Sequence, residues 1–151
     1  MGAPVEITVP SEYGYVVIGC VLGPSILSFM MGGPVMKARK KYNVQYPNLY
    51  ATPGFHKNAD EFNRVQRGHQ AVLESLPSFV SMSLVAGVAY PITIAANGLL
   101  FCVGSWLFQK GYGDLNLDVK DARYKKGGML FRIAQLVAMG AVGRLGVSML
   151  L

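Results

Sequence analysis

The sequence predicts an all-α integral membrane protein, a single domain over residues 1–151 that crosses the bilayer four times as a four-helix bundle. Of its 151 residues, 52% are hydrophobic and only 15% are charged, whereas soluble domains carry about a quarter charged residues. Long stretches lack any charge, and the basic residues lie at their edges. The predicted spans are about 13–36, 72–89, 92–109 and 129–151, each of which offers enough apolar residues to cross a bilayer.

The first predicted helix covers the uncharged run from Tyr13 to Met36. Its 24 residues would extend about 36 Å as an α-helix, which is enough to cross a membrane. Pro24 lies inside this run and is expected to kink the helix, a feature that membrane helices tolerate better than soluble ones.

The next uncharged run begins after Glu74 and lasts until Lys110, a stretch of 35 residues. As one helix it would measure about 52 Å, which is too long for one crossing and suitable for two. Because Pro91 divides the run, we expect helix two at about Asp60–Ala89 and helix three at about Ile92–Gln109.

The last apolar stretch, Met129–Leu151, predicts helix four. Two wet loops, Lys37–Arg67 and Lys110–Lys126, hold 12 of the 14 Lys and Arg, whereas the N-terminal segment and the turn at Pro91 hold none. Both loops are therefore expected to face the cytosol or its equivalent. The net charge of +6 is typical of such an orientation, and no nucleic-acid binding is expected because no basic–aromatic motif recurs.

Two further polar residues have simple interpretations. Arg144 lies inside helix four and is expected to pair with Glu6, Glu12 or a lipid phosphate, because an unpaired charge is costly in a membrane. His69 has no second histidine or cysteine at ligand spacing, so no metal site is predicted.

One face of helix two is polar. Asn63, Gln66, Arg67, Gln70 and Glu74 recur with helical spacing, and at about 100° per residue they fall within an arc of roughly 100°. A carboxylate that enters a membrane needs a partner, and Glu74 with Arg67 would suit a small zwitterionic ligand. An equally weighted alternative is that these side chains satisfy one another at a helix or subunit interface.

Two segments resemble the MAPEG family, the membrane-associated proteins of eicosanoid and glutathione metabolism. They are KARKKYNVQYP at residues 37–47 and NRVQRGHQAVLE at residues 63–74. The likeness is greatest to the third-type microsomal glutathione S-transferases and covers most of the chain. It implies a four-helix fold assembled as a homotrimer, with glutathione as co-substrate between subunits near the cytosolic surface. The implied chemistry is thiolate attack on a lipophilic electrophile or a lipid hydroperoxide.

The resemblance also assigns roles in glutathione binding. Arg39 and Arg67 resemble the arginines that hold the carboxylates of glutathione, and Glu74 resembles the glutamate that accepts its γ-glutamyl ammonium. The full binding set that the resemblance implies is Arg39, Gln66, Arg67, His69, Gln70, Glu74 and Tyr112.

Two residues carry the implied chemistry. Tyr112 resembles a site tyrosine at the end of helix three, and Arg123 resembles the arginine that stabilises the thiolate. Lys125 or Lys126 would be alternatives to Arg123 because the loop is long. A thiol needs such a nearby cation or donor to ionise at neutral pH.

Three positions depart from the family pattern and leave alternatives open. Ala71 stands where Asn is common, and Ser105 and Phe108 stand where an Arg-x-x-Tyr pair is common. The chain is therefore either an enzyme acting on a lipophilic second substrate, a catalytically impaired subunit of a larger membrane complex, or a lipid-binding regulatory module. The expected location is the endoplasmic reticulum or mitochondrial membrane.

Overall fold

The structure, a computed structural model, describes residues 8–151, and these fold into helices and connecting loops without a strand. The helices are α1 (Tyr13–Tyr42), α2 (Ala59–Gly87), α3 (Pro91–Tyr112), α4 (Val119–Lys125) and α5 (Met129–Leu150). The all-helical prediction is confirmed for these residues. The end of α2 and the start of α3 lie within three residues of the predicted positions, Ala89 and Ile92.

Helix α1 differs from its prediction in two ways. It continues past Met36 to Tyr42, because basic residues in a last helical turn favour the negative end of the helix dipole. It ends at Asn43, which takes a left-handed conformation with φ 55°. Before Pro24 the helix widens into a π-helical segment, Val17–Leu22, in which the Gly23 N–H donates to the carbonyl of Ile18.

The second wet loop contains a short helix that was not predicted. Asp118 caps α4, because its carboxylate accepts a hydrogen bond of 2.8 Å from the N–H of Lys120. The carbonyl of Ala122 lies against Gly111, where a side chain would collide with it. This contact holds α4 beneath the end of α3.

Three helices, α1, α3 and α5, are long and apolar enough to cross a membrane by length and composition. Helix α2 has 29 residues but carries the polar face, and it is not among those three candidate spans. The fourth crossing, and with it the four-helix membrane bundle, stays a prediction.

Helix α3 occupies the centre and contacts each of the other helices. Glycines allow its backbone to approach its neighbours: Gly98 lies against the backbone of Gly19 in α1, and Gly104 lies against the start of α5. Aromatic rings fill the space between α2 and α3, where Phe79 and Phe101 stack with centroids 3.9 Å apart.

Buried polar side chains join the helices by donating to backbone carbonyls. Gln109 donates to Met31 and Asn97 donates to Ala134, each over 2.8 Å. Cys20 donates to Ile94 over 3.1 Å. These bonds tie α3 to both α1 and α5 in an environment where water does not compete.

Arg144 does not pair with an acid in the described residues. Its guanidinium lies 5.7 Å from the centroid of the Tyr90 ring, which is a cation–π arrangement. Glu12 makes a hydrogen bond with Ser11 instead, and Glu6 lies outside the described residues.

Candidate functional site

An ion pair lies on the polar face of α2. Arg67 Nη1 and Glu74 Oε1 are 2.7 Å apart, although the two residues are separated by two helical turns. Gln70 lies between them, three residues after Arg67 and four before Glu74 on the same helix face. The side chains of Arg67 and Glu74 are 44% and 49% exposed, so the pair is accessible from outside the chain.

A second arginine, Arg132 of α5, contacts α2 at Ser75, the residue after Glu74. Arg132 Nη1 lies 3.4 Å from the hydroxyl of Ser75 and 3.0 Å from Gln135 Oε1. The ring of Phe131 lies 4.4 Å below the guanidinium and supports it from the core side.

A cavity of about 600 Å³, here named the Tyr112 cavity, lies beside Arg67. Its size is suitable for a small organic ligand. Its lining residues are Tyr50, Asp60, Asn63, Arg64, Arg67, Tyr112 and Val119.

Arg64 builds one wall of the Tyr112 cavity. Its guanidinium donates to the carbonyls of Tyr112, Asp114 and Leu117 over 2.9, 2.7 and 3.0 Å. Its partners are carbonyls at and just beyond the C-terminus of α3, so its charge is held in place without being neutralised by a carboxylate. Arg64 therefore places a fixed positive charge on this wall, and the carboxylate of Asp60 lines the same cavity.

Asn63 fixes the loop that precedes α2. Its amide accepts from the N–H of Ala51 over 2.8 Å and donates to the carbonyl of Ala51 over 2.9 Å. The paired bonds hold the adjacent Tyr50 at the Tyr112 cavity, which Tyr50 and Arg67 both line.

Arg39 lies at a different place from Arg67. Its guanidinium is buried and donates to the carbonyls of Val44 and Asn48 over 3.4 and 2.8 Å. The ring of Tyr46 covers it at 4.5 Å. Arg39 thus organises the loop after α1, and it lines a second cavity of about 590 Å³, here named the Tyr46 groove.

His69 also lines the Tyr46 groove. Its Nε2 lies 3.1 Å from the carbonyl of Ser28 in α1. Burial lowers the pKa of the imidazole, which favours its neutral form at neutral pH. His69 therefore joins α2 to α1 and does not face the Arg67–Glu74 pair.

Gln66 is 4% exposed, and its carbonyl oxygen has no hydrogen-bond partner in residues 8–151. It is the one member of the polar face that is buried.

The predicted binding residues fall into three places in the structure. Arg67, Gln70, Glu74 and Tyr112 lie on one side, Arg39 and His69 lie on another, and Gln66 is buried.

The predicted catalytic residues lie near the end of α3. The Tyr112 ring stacks on Phe108 at 5.9 Å and lines the Tyr112 cavity. Arg123 is exposed on α4 with its guanidinium 5.1 Å from the Tyr124 ring. Of the two alternatives to Arg123, Lys126 is paired with Asp114 at 2.6 Å, and Lys125 is exposed.

The three positions that depart from the family pattern are all buried. Ala71 is 4%, Ser105 0% and Phe108 2% exposed. Phe108 packs edge-on against Phe131 with centroids 5.0 Å apart. Apolar packing therefore fills the region where the family pattern has polar groups.

Three residues of the site had not been singled out from the sequence. Tyr50 and Arg64 gave no local signal, because their roles depend on contacts with Arg67 and with the loop after α3. Arg132 did give a signal, since an arginine inside an apolar run usually has a function or a specific partner.

A comparison with protein families gives one finding. The model of the MAPEG family matches residues 17–145, which is more than four-fifths of the chain. The match includes both the polar face of α2 and Arg132.

Proposed function

The chain belongs to the MAPEG family, and from this premise we propose that it binds glutathione and uses it as a transferase or peroxidase. Within the family, we propose the third-type microsomal glutathione S-transferases as its nearest functional counterparts. The observation that carries the proposal is the accessible Arg67–Glu74 pair beside the Tyr112 cavity, whose wall holds the fixed charge of Arg64. Three apolar helices together with family membership indicate an integral membrane protein.

The charges of glutathione suit this arrangement. Its γ-glutamyl end is a zwitterion, so its carboxylate would take Arg67 while its ammonium would take Glu74. One ion pair is thereby exchanged for two, without leaving either side chain unpaired. Gln70 is placed to share in the interaction because it lies about one helical turn from both residues on the same face of α2.

A homotrimer would complete the site. Arg39 and His69 line the Tyr46 groove, whereas Arg67 and Tyr112 line the Tyr112 cavity. One glutathione molecule that contacts both sets needs two copies of the chain. We therefore propose that Arg39, Gln66 and His69 act across a subunit interface, either on the ligand or by supporting the residues that hold it.

The proposed chemistry begins with ionisation of the thiol. A nearby cation, for which Arg123 is the predicted residue, favours the thiolate, and the Tyr112 hydroxyl is a donor at the cavity wall. In the transferase reaction the sulfur bonds to an electrophilic carbon, and the leaving group departs with its electron pair. In the peroxidase reaction two thiols reduce a hydroperoxide to an alcohol and water and become a disulfide.

The second substrate would reach the site from the membrane. A lipophilic electrophile or a lipid hydroperoxide dissolves in the bilayer, and glutathione dissolves in the aqueous phase on the side of the basic loops. We propose that the membrane is that of the endoplasmic reticulum or the mitochondrion, and that these loops face its cytosolic or equivalent side. A role in lipid metabolism would follow from this substrate class.

Calorimetric titration of the purified protein with glutathione, in detergent, tests the proposal. We expect saturable binding below millimolar concentration and ultraviolet absorption from the bound thiolate. Arg67→Gln should weaken binding by at least tenfold, because a charge-assisted hydrogen bond contributes about 1.5–3 kcal/mol. Arg144→Gln, which changes an exposed arginine elsewhere, is the matched control. Absence of saturable binding at millimolar glutathione would refute the proposal.

A second candidate is a structural subunit that has lost catalysis. The buried Ala71, Ser105 and Phe108 favour it, because polar groups at these positions would have to enter packed apolar space. Isolation in mild detergent separates the two candidates. Recovery as one copy among other membrane proteins supports the structural role, and recovery as a free, glutathione-binding homotrimer excludes it.

A further inference from the structure

A third cavity, here named the Trp106 groove, lies between α1, α2 and α3 where these helices adjoin the two wet loops. Its volume is about 260 Å³, and it shares no lining residue with the Tyr112 cavity or the Tyr46 groove. Its lining residues are Pro34, Val65, Trp106, Gln109, Lys110 and Gly113. Within residues 8–151 this lining contains one cation, Lys110, and no acidic side chain.

An exposed apolar stripe of α3 leads away from the Trp106 groove. Leu99 and Val103 are 66% and 52% exposed, and with Trp106 and Lys110 they follow spacings of four, three and four residues, which place all four on one helix face. Helix α3 is apolar enough to cross a membrane, so this face is available to lipid acyl chains. A tryptophan followed by a lysine at the end of such a face is typical of the level at which a span meets lipid headgroups.

The positive charge of Lys110 is held in place but is not neutralised. Its ammonium nitrogen lies 5.2 Å from the centroid of the Trp106 ring, which is a cation–π arrangement. No carboxylate lies within ion-pair distance of Lys110 in residues 8–151. Asp114, the next acid along the chain, is paired with Lys126 at 2.6 Å. Lys110 is therefore free to bind an external anion.

A second lysine stands near the opposite wall of the Trp106 groove. Lys37 follows Pro34 by three residues in α1, which makes them neighbours on one helix face, and its side chain is exposed. In the described part of the chain Lys37 also has no ion-pair partner. The rim of the groove thus receives positive charge from both α1 and α3.

We propose that the Trp106 groove binds an anionic phospholipid of the leaflet that adjoins the basic loops. The lipid phosphate would bind Lys110 with Lys37 nearby, the glycerol region would enter the groove beside Trp106, and one acyl chain would lie along Val103 and Leu99. A choline lipid fits less well, because its quaternary ammonium would meet two lysines and because Lys110 already covers the Trp106 ring.

A second copy of the chain is a less suitable occupant of the Trp106 groove. Copies that share one orientation in a membrane meet at equal depth, so the rim would meet the basic end of another copy. The two wet loops at that end hold 12 of the 14 Lys and Arg but only five of the eight Asp and Glu. Like charges would repel one another there, whereas an anionic lipid neutralises them.

The fluorescence of Trp106 tests the proposal, because Trp106 is the only tryptophan in the chain. The protein is reconstituted in phosphatidylcholine vesicles that contain a fixed fraction of either brominated phosphatidylglycerol or brominated phosphatidylcholine, since bromine quenches a tryptophan that it contacts. We expect stronger quenching by the brominated phosphatidylglycerol. Lys110→Gln should lower the relative association constant of the anionic lipid about fivefold, and Lys37→Gln should lower it in the same direction.

Lys120→Gln is the matched control, because it removes the same charge from an exposed position on α4 and should leave the lipid preference unchanged. Equal quenching by the two brominated lipids in the wild type would overturn the proposal. An equal loss of preference in Lys110→Gln and Lys120→Gln would overturn it too, because the general surface charge would then attract the lipid. Absence of quenching by either lipid would show that protein covers the groove. Glutathione is absent throughout, so these outcomes do not depend on the proposed function.

Discussion

The substitution Glu74→Gln distinguishes a ligand-binding site from an Arg67–Glu74 ion pair whose two side chains only bind each other. The substitution keeps the shape of the side chain and one hydrogen-bond acceptor for Arg67, but it removes the charge. Because both side chains are close to half exposed, the pair should contribute at most about 1 kcal/mol to folding. The thermal unfolding midpoint should therefore change by only a few degrees.

The effect on ligand affinity should be larger. Under the proposed function Glu74 accepts a charge-assisted hydrogen bond from the ammonium of glutathione, which contributes about 1.5–3 kcal/mol. Its loss should raise the Kd about tenfold to a hundredfold. Calorimetric titration of the detergent-purified protein measures the Kd, and a thermal melt of the same sample measures stability.

Glu61→Gln is the matched control for Glu74→Gln. Glu61 lies on the same helix, thirteen residues earlier, and its carboxylate is held by Asn58 at 3.0 Å. Its loss should not alter the Kd. The reasoning fails if Glu74→Gln lowers the melting temperature strongly and leaves the Kd for glutathione at the wild-type value, because the pair would then be structural.

Three further predictions concern stability. Gly104→Ala should destabilise the protein by about 1–3 kcal/mol in thermal unfolding, because the new methyl group would meet the backbone of α5, whereas Gly143→Ala meets no atom within 4 Å and should be neutral. Ser105→Ala should leave stability unchanged or raise it by up to about 1 kcal/mol, since its buried hydroxyl has no partner among residues 8–151. Lys126 lowers the pKa of Asp114, so this carboxylate should stabilise the fold above its unfolded-state pKa and lose that effect as the pH falls below about 4. Unfolding followed against pH should show that loss in the wild type and not in Asp114→Asn.

Local signals predicted most of the helical pattern. The break at Pro91 follows from a missing N–H and a steric restriction, both of which act within a few residues. The polar face of α2 follows from helical periodicity, which places Arg67 and Glu74 on one side of the helix, and the structure shows them paired directly. In contrast, α4 depends on a cap at Asp118 within a loop of low periodicity, and it was not predicted.

The site was less predictable because its residues depend on distant contacts. The guanidinium of Arg39 is held by carbonyls of a loop that folds back over α1. No periodic pattern in the sequence predicts the conformation of that loop. Arg64 likewise acts on carbonyls about fifty positions away. Ala71 stands where the family pattern commonly has Asn, and its burial depends on how α2 packs against the other helices.

The widened turn at Val17–Leu22 determines which side of the first half of α1 faces α3. Val16, Cys20 and Pro24 are all buried, four residues apart. On a regular α-helix eight residues advance two turns plus about 80°, so Val16 and Pro24 would point in different directions. The wider turn removes that drift and keeps Gly19 and Cys20 against Gly98 of α3. Deleting one residue from the segment should restore a regular α-helix, in which the remaining seven residues advance about 700°, so that Val16 and Pro24 stay on the same side of the helix.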